Sequence, residues 1–169
     1  LCCNNVFTLG GAFDQRAVEQ REDVLVYTTP PLEHDIEVTG PLKVVLFAAS
    51  TAPDTDFTAK LVDVHPCGLA QNLNDGIIRA RYRQSMREPM PITPNEVVEY
   101  EIDLIGTSNM FRAGHRIRVE ISSSNFPRFD RNPNTGESIA TATELVNAMQ
   151  TIHHSPWAPS RIVLPVVEA

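Results

Sequence analysis

The 169-residue sequence predicts an all-β domain, a sandwich or jelly roll with at most one short helix. Three observations lead there. Short segments rich in β-branched residues recur, separated by Gly, Pro and Asn turn signals. Two of them alternate apolar and polar residues with the period of two that places one strand face in a core. Prolines at 89, 91 and 94 rule out a helix interior in the longest connection.

In chain order, residues 23–28 (DVLVYT) read as a short strand. A longer one spans 36–50, with Gly40-Pro41 as punctuation inside it. Its run Val44 to Ala49 is apolar on both faces, as in a strand buried in a sandwich. Residues 57–65 (FTAKLVDVH) form the next strand and end in the Pro66-Cys67-Gly68 turn. Asn74-Asp75-Gly76 reads as a second turn, followed by a strand over 77–84. Val98, Tyr100, Ile102 and Leu104 then share one face, with Glu99, Glu101 and Asp103 on the other. After an Ala113-Gly114-His115 turn, Ile117, Val119 and Ile121 oppose Arg116, Arg118 and Glu120 in the same way. Residues 141–150 carry good helix formers and predict the single short helix. The last strand spans 160–167.

Composition excludes several functions. The formal net charge of −7 repels phosphate backbones, so nucleic acid is not an expected partner. No apolar run approaches the roughly 20 residues needed to span a bilayer, so no membrane partner is expected. The start at Leu1 has no initiator Met, basic region or apolar region, and reads as a chain cut from something longer. Cys2, Cys3 and Cys67 are odd in number and two are adjacent, which predicts free thiols and a cytoplasmic location. No spaced ligand pairs of the kind a zinc site needs are recognised, and neither metal nor cofactor is expected.

Several motifs carry a family likeness: residues 54–64 (DTDFTAKLVDV), 75–83 (DGIIRARYR), 107–114 (TSNMFRAG), 122–136 (SSSNFPRFDRNPNTG) and 160–165 (SRIVLP). Together, from about Thr8 to Val167, they resemble the carboxy-terminal domain of the X-Pro dipeptidyl-peptidase and cocaine-esterase-like family of serine hydrolases, most closely its acyl-esterase side. The resemblance implies a jelly roll similar to galactose-binding domains. It also implies an upstream α/β-hydrolase domain in the same polypeptide that holds the catalytic serine, aspartate and histidine. Residues 1–15 would be the connection from it, residues 16–169 the accessory domain, and homo-oligomer contacts are a further implied partner. The stretch Gly10 to Arg16 looks shorter than its counterpart in that family, which weakens any substrate contact carried over to it. Independently, no G-x-S-x-G nucleophile elbow occurs here, so no catalytic residue is assigned.

The remaining candidates are weighed singly. Ser122, Ser123 and Ser124 with His115, His153 or His154 could hide a triad, but the favoured reading is serines finishing a strand. Asp54 and Asp56 suit a turn or salt bridges better than a calcium site. Adjacent His153 and His154 point to opposite strand faces and do not favour a metal. Arg79, Arg81 and Arg83 are expected to alternate along one strand face, either paired with acidic neighbours or docking against the hydrolase domain. The segment 125–135 is expected to be a loop fixed by its own polar groups. Phe126 and Phe129 would pin it to the sandwich, and Arg128 and Arg131 would pair with Asp130 or with the partner domain. Phe13, Arg79, Arg81, Arg83, Asn125, Phe126, Arg128, Asp130, Arg131 and Asn132 are therefore the candidates for a domain interface or active-site rim. The alternative function is a free-standing module for carbohydrate or another small ligand. Trp157, the single tryptophan, is expected to pack at the sandwich edge rather than offer a sugar platform.

Overall fold

In the computed structural model, which describes residues 11–167, ten strands pair antiparallel. One sheet has the order β1 (Leu25–Thr28), β6 (Arg116–Ser122), β3 (Asp56–Val64), β4 (Ala70–Arg79). The other has the order β10 (Arg161–Val163), β2 (Ile36–Ser50), β5 (Val98–Phe111), with β7 (Gln150–Ile152) pairing to the end of β2. A small hairpin, β8 (His154–Ser155) and β9 (Ala158–Pro159), joins β7 to β10. The all-β sandwich expected from the strand patterns is the fold observed. Among the described residues the one α-helix is the single turn α1 (Arg16–Glu19), and no helix is long and apolar enough to cross a membrane.

Period-two patterning places the core. On β5, Tyr100, Ile102 and Leu104 are buried while Glu99, Glu101 and Asp103 are exposed. They share one cluster with Phe57, Ala59 and Leu61 of β3 and Ile117 and Ile121 of β6. The Phe57 and Tyr100 rings meet at 4.9 Å between centroids. Each large side chain fully buried in this way contributes roughly 1.5–3 kcal/mol. The predicted run over β2 is also observed. Gly40-Pro41 does not end that strand. A register shift between Pro41 and Lys43 accommodates the missing N–H, and Gly40 takes a φ of 139° beside Pro165.

Four expectations are corrected. Asn74-Asp75-Gly76 is not a turn but the middle of β4, and its three residues are used otherwise. Asn74 donates to the carbonyls of Leu104 and Gly106 at 3.1 and 2.9 Å, stitching the edge of one sheet to the other. Asp75 accepts from Asn125. Gly76 lets β4 approach β5 so closely that a Cβ there would lie 2.1 Å from the Asp103 carbonyl oxygen. The strand expected over 77–84 stops at Arg79, and Ala80–Tyr82 form a 3₁₀ turn whose Ala80 N–H bonds the Thr55 carbonyl. Residues 141–150 are not helical, because their backbone groups bond across the chain. Val146 N–H reaches Pro133 O, and Met149 pairs with Thr51 through its N–H and its carbonyl. The final strand is shorter than expected, Arg161–Val163, with only an isolated bridge at Val166 beyond Pro165. Cys2, Cys3 and Gly10 lie outside the described residues.

Candidate functional site

The loop from β2 into β3 buries Asp54, Thr55 and Asp56 almost completely. A buried carboxylate is tolerated only when paired and hydrogen-bonded, and the sequence supplies partners from two distant segments. Arg79 holds Asp56 through two bonds of 2.8 and 3.0 Å. Arg81 holds Asp54 through its backbone N–H at 2.9 Å and its Nε at 2.7 Å. Asn132 lies between the two, its Nδ2 donating to Asp54 Oδ2 at 2.8 Å and Asp56 Oδ1 at 2.9 Å, while its Oδ1 accepts from the Asn134 N–H. The salt-bridge role expected for Asp54 and Asp56 is observed.

The arginines do not form a row on one strand face, because the chain turns after Arg79. Arg83 instead donates to the carbonyls of Ala80 and Met90 at 3.0 and 2.6 Å, holding the proline-rich connection. In the 125–135 loop, Asn125 Nδ2 donates to Asp75 at 2.6 Å and Arg128 pairs with the other oxygen of Asp75. Arg128 therefore pairs with β4 rather than with Asp130, and its guanidinium lies over the Phe129 ring at 5.4 Å. The loop is thus fixed by its own polar groups. Phe126, however, does not pin it: the ring is 65% exposed. Asp130 and Arg131 are exposed as well. Phe13 sits at the far edge of β4, its backbone tied to Asn72 in both directions.

Through Asn132 the aspartate network adjoins a groove of about 650 Å³, lined by Leu25, Phe57, Ile121, Ser122, Arg131, Asn132, Met149 and Ile152 among others. Its lining is mixed, with polar side chains such as Ser123, Asn134 and Asn147 beside Leu25, Met149 and Ile152; exposed apolar side chains stand in the neighbouring segments. Phe126 and Met149 are mostly exposed, and so are Leu145 and Val146. The edge strand β1 adds Leu25, Val26 and Tyr27, so that it exposes apolar side chains on both faces. Contiguous exposure of this kind marks an interaction surface. The serines have no catalytic arrangement. Ser122 Oγ shares a 2.6 Å bond with Thr58 Oγ1 and donates to the Ser124 carbonyl. His115 bonds Asp63 and His154 bonds Tyr27. Trp157 does not pack at the sandwich edge as expected; it is exposed beside the His153 ring.

Two buried features escaped the sequence. Glu120 falls on the polar face of its alternating strand, yet it is buried beneath α1. Burial pushes its carboxyl up to about 7, the nearby Glu19 carboxylate pushes in the same direction, and Lys60, 3.6 Å away, opposes them. At the end of the sandwich, β3 and β6 bring Asp63, His65 and His115 together, a spaced set that linear reading passed over. The signal available was Asp63-x-His65, two residues on one face of a strand.

The fold and the site define a β-sandwich domain whose strongest polar networks are internal and whose edge strand β1 exposes apolar side chains. The chain belongs to the X-Pro dipeptidyl-peptidase C-terminal non-catalytic domain family, whose model matches residues 7–163. It is 51% identical over 160 residues to the cocaine esterase of Rhodococcus sp. (strain MB1 Bresler), covering 94% of this chain and 28% of that protein. Among solved structures it is similar to an aminopeptidase from a marine sediment Thaumarchaeota archaeon, with a TM-score of 0.90, 35% identity, and coverage of 93% of this chain and 28% of that one. It is similar also to an α-amino acid ester hydrolase, with a TM-score of 0.89, 36% identity, and coverage of 92% and 27%. The chain thus spans a little over a quarter of the length of these relatives.

Proposed function

We propose that this chain is the accessory carboxy-terminal domain of a serine hydrolase of the acyl-esterase or X-Pro dipeptidyl-peptidase type. It packs on the α/β-hydrolase domain of the same polypeptide and helps to wall that domain's acyl pocket. The observation that carries this reading is the open groove with the exposed edge strand β1 beside it, whose apolar side chains nothing among the described residues covers. Arg131 and the 125–135 loop stand at its margin and would line the rim. The parent reaction would pass through an acyl-serine, with a histidine as base and an aspartate orienting it, all three outside this chain. The order β1-β6-β3-β4 against β10-β2-β5 supports a jelly roll of the galactose-binding type. The exposed free thiol of Cys67 supports a reducing, cytoplasmic location. Homo-oligomer contacts would use surface outside the groove.

A second reading, a carbohydrate-binding module, is favoured by the exposed Trp157. One experiment separates the two. The full polypeptide and this chain alone are assayed with a p-nitrophenyl acyl ester and an X-Pro-p-nitroanilide, and this chain is screened against glycans. Turnover by the full polypeptide alone, with no glycan bound, is the expected result, and the preferred substrate then separates esterase from peptidase. Turnover by this chain, or tight glycan binding that Trp157→Ala abolishes, would overturn the proposal.

A further inference from the structure

At the end of the sandwich away from the aspartate network, the interior face of β3 runs out into polar residues. Asp63 follows Phe57, Ala59 and Leu61 on that face and is itself buried. Two residues on, His65 closes the strand at the Pro66–Gly68 turn. The antiparallel register pairs Val64 with Arg116, which places His115 opposite His65, on the same face. The two imidazole rings lie with centroids 4.4 Å apart and planes tilted by 40°. His115 Nδ1 lies 2.9 Å from Asp63 Oδ1, and His65 Nε2 lies 4.0 Å from Asp63 Oδ2. A side chain from β4 adds a further oxygen: Gln71 Oε1 stands 3.2 Å from His65 Nε2.

We infer that Asp63, His65 and His115 form a binding site for a divalent transition-metal ion, with zinc the ion best matched to the donors. Two imidazole nitrogens and one carboxylate are a ligand set that such ions favour over calcium or magnesium. The three ligand atoms all lie within 4.8 Å of one another. In a tetrahedral site with bonds of 2.0–2.1 Å, ligand atoms stand roughly 3.3 Å apart. The Asp63–His115 pair, at 2.9 Å, has to open by a few tenths of an ångström, and His65 has to move inward by about an ångström. His65 can move, since it ends its strand and its side chain is partly exposed while Asp63 and His115 are held deeper. Gln71 or water completes the coordination. The ion would clamp the β3–β4 turn to the β5–β6 turn, two loops that already adjoin through Pro66 and Gly114.

The test uses the full polypeptide, stripped of metal with a chelator and titrated with Co²⁺, whose visible d–d absorption reports tetrahedral nitrogen and oxygen ligation. The expected result is a saturable band of one equivalent that Zn²⁺ displaces, together with a rise in the melting temperature of this domain on adding Zn²⁺. His65→Ala and His115→Ala are expected to weaken binding by about tenfold or more, and His154→Ala to leave it unchanged. His65→Ala decides the matter if His115→Ala fails to fold, because His65 is the more exposed of the pair. Absence of the band in the unsubstituted protein, or a band that survives in His65→Ala, would show that the cluster is only a hydrogen-bond network.

Discussion

Glu120 shows how a single side chain can run against its strand's pattern. Burial raises its carboxyl from the ordinary 4.5 of a glutamate to about 7, so between those values the folded state holds a proton that the unfolded chain has released. Its contribution to stability is complete below about pH 4.5 and is lost as pH rises through 7. Glu120→Gln removes that dependence while Lys60 keeps its 2.9 Å bond to Gln15. In thermal melts of this chain from pH 4 to 8, the variant is expected to gain on the original as pH rises. The gap at pH 8 should be up to roughly 3 kcal/mol, and parallel profiles would contradict the account. Asn132 makes the converse case. Both of its amide protons go to buried carboxylate oxygens that also accept from Arg81 and Arg79, so Asn132→Ala removes one of two donors from each and should cost about 1–3 kcal/mol in a denaturant melt. Glu120 was not legible, because alternation assigns it to the face of Arg116 and Arg118, and only the fold reveals that α1 covers part of that face. Asp54 and Asp56 were legible as salt-bridge residues, but their partner Asn132 lies far along the chain.

Among the elements, β2, β3 and β6 could be read with nearly correct bounds because their apolar periodicity reflects one packed interface, while β5 was read only to Leu104 and continues to Phe111. β4 could not. Its Asn-Asp-Gly triplet has the composition of a turn, yet each residue serves the seam between the two sheets. Gly76 is the decisive one. Its backbone is not in the left-handed region, so the requirement is space alone. Gly76→Ala would drive a methyl group into the Asp103 carbonyl and is expected to destabilise the chain by about 3 kcal/mol or more. A melt within about 0.5 kcal/mol of the original would contradict the seam. The 141–150 segment failed for a related reason. Helix propensity there is weak beside the bonds that Thr51, Pro133 and Asn134 offer its backbone.

At the scale of the molecule, the strongest polar networks turn inward, while the apolar side chains of β1, and Met149 in the groove, are among those left exposed. That distribution suits a domain that is one part of a larger protein. The interface face itself was only half legible. Arg131, picked out by its motif, lines the groove, and Phe126 is exposed in the adjoining loop, whereas Arg79, Arg81 and Arg83 are held by internal partners. Replacing Phe126 or Met149 with Asp in the full polypeptide is expected to leave this domain folded, since both side chains are exposed, but to lower esterase or peptidase turnover and loosen the domain contact. The most direct measurement is amide hydrogen exchange on this chain alone and within the full polypeptide. Residues 25–28 and 145–150 are predicted to exchange quickly in the isolated chain and to gain strong protection in the full protein, while the core of β5 stays unchanged. Equal exchange of those two segments in both settings would mean that the groove and the edge strand face solvent, and that the catalytic domain does not dock there.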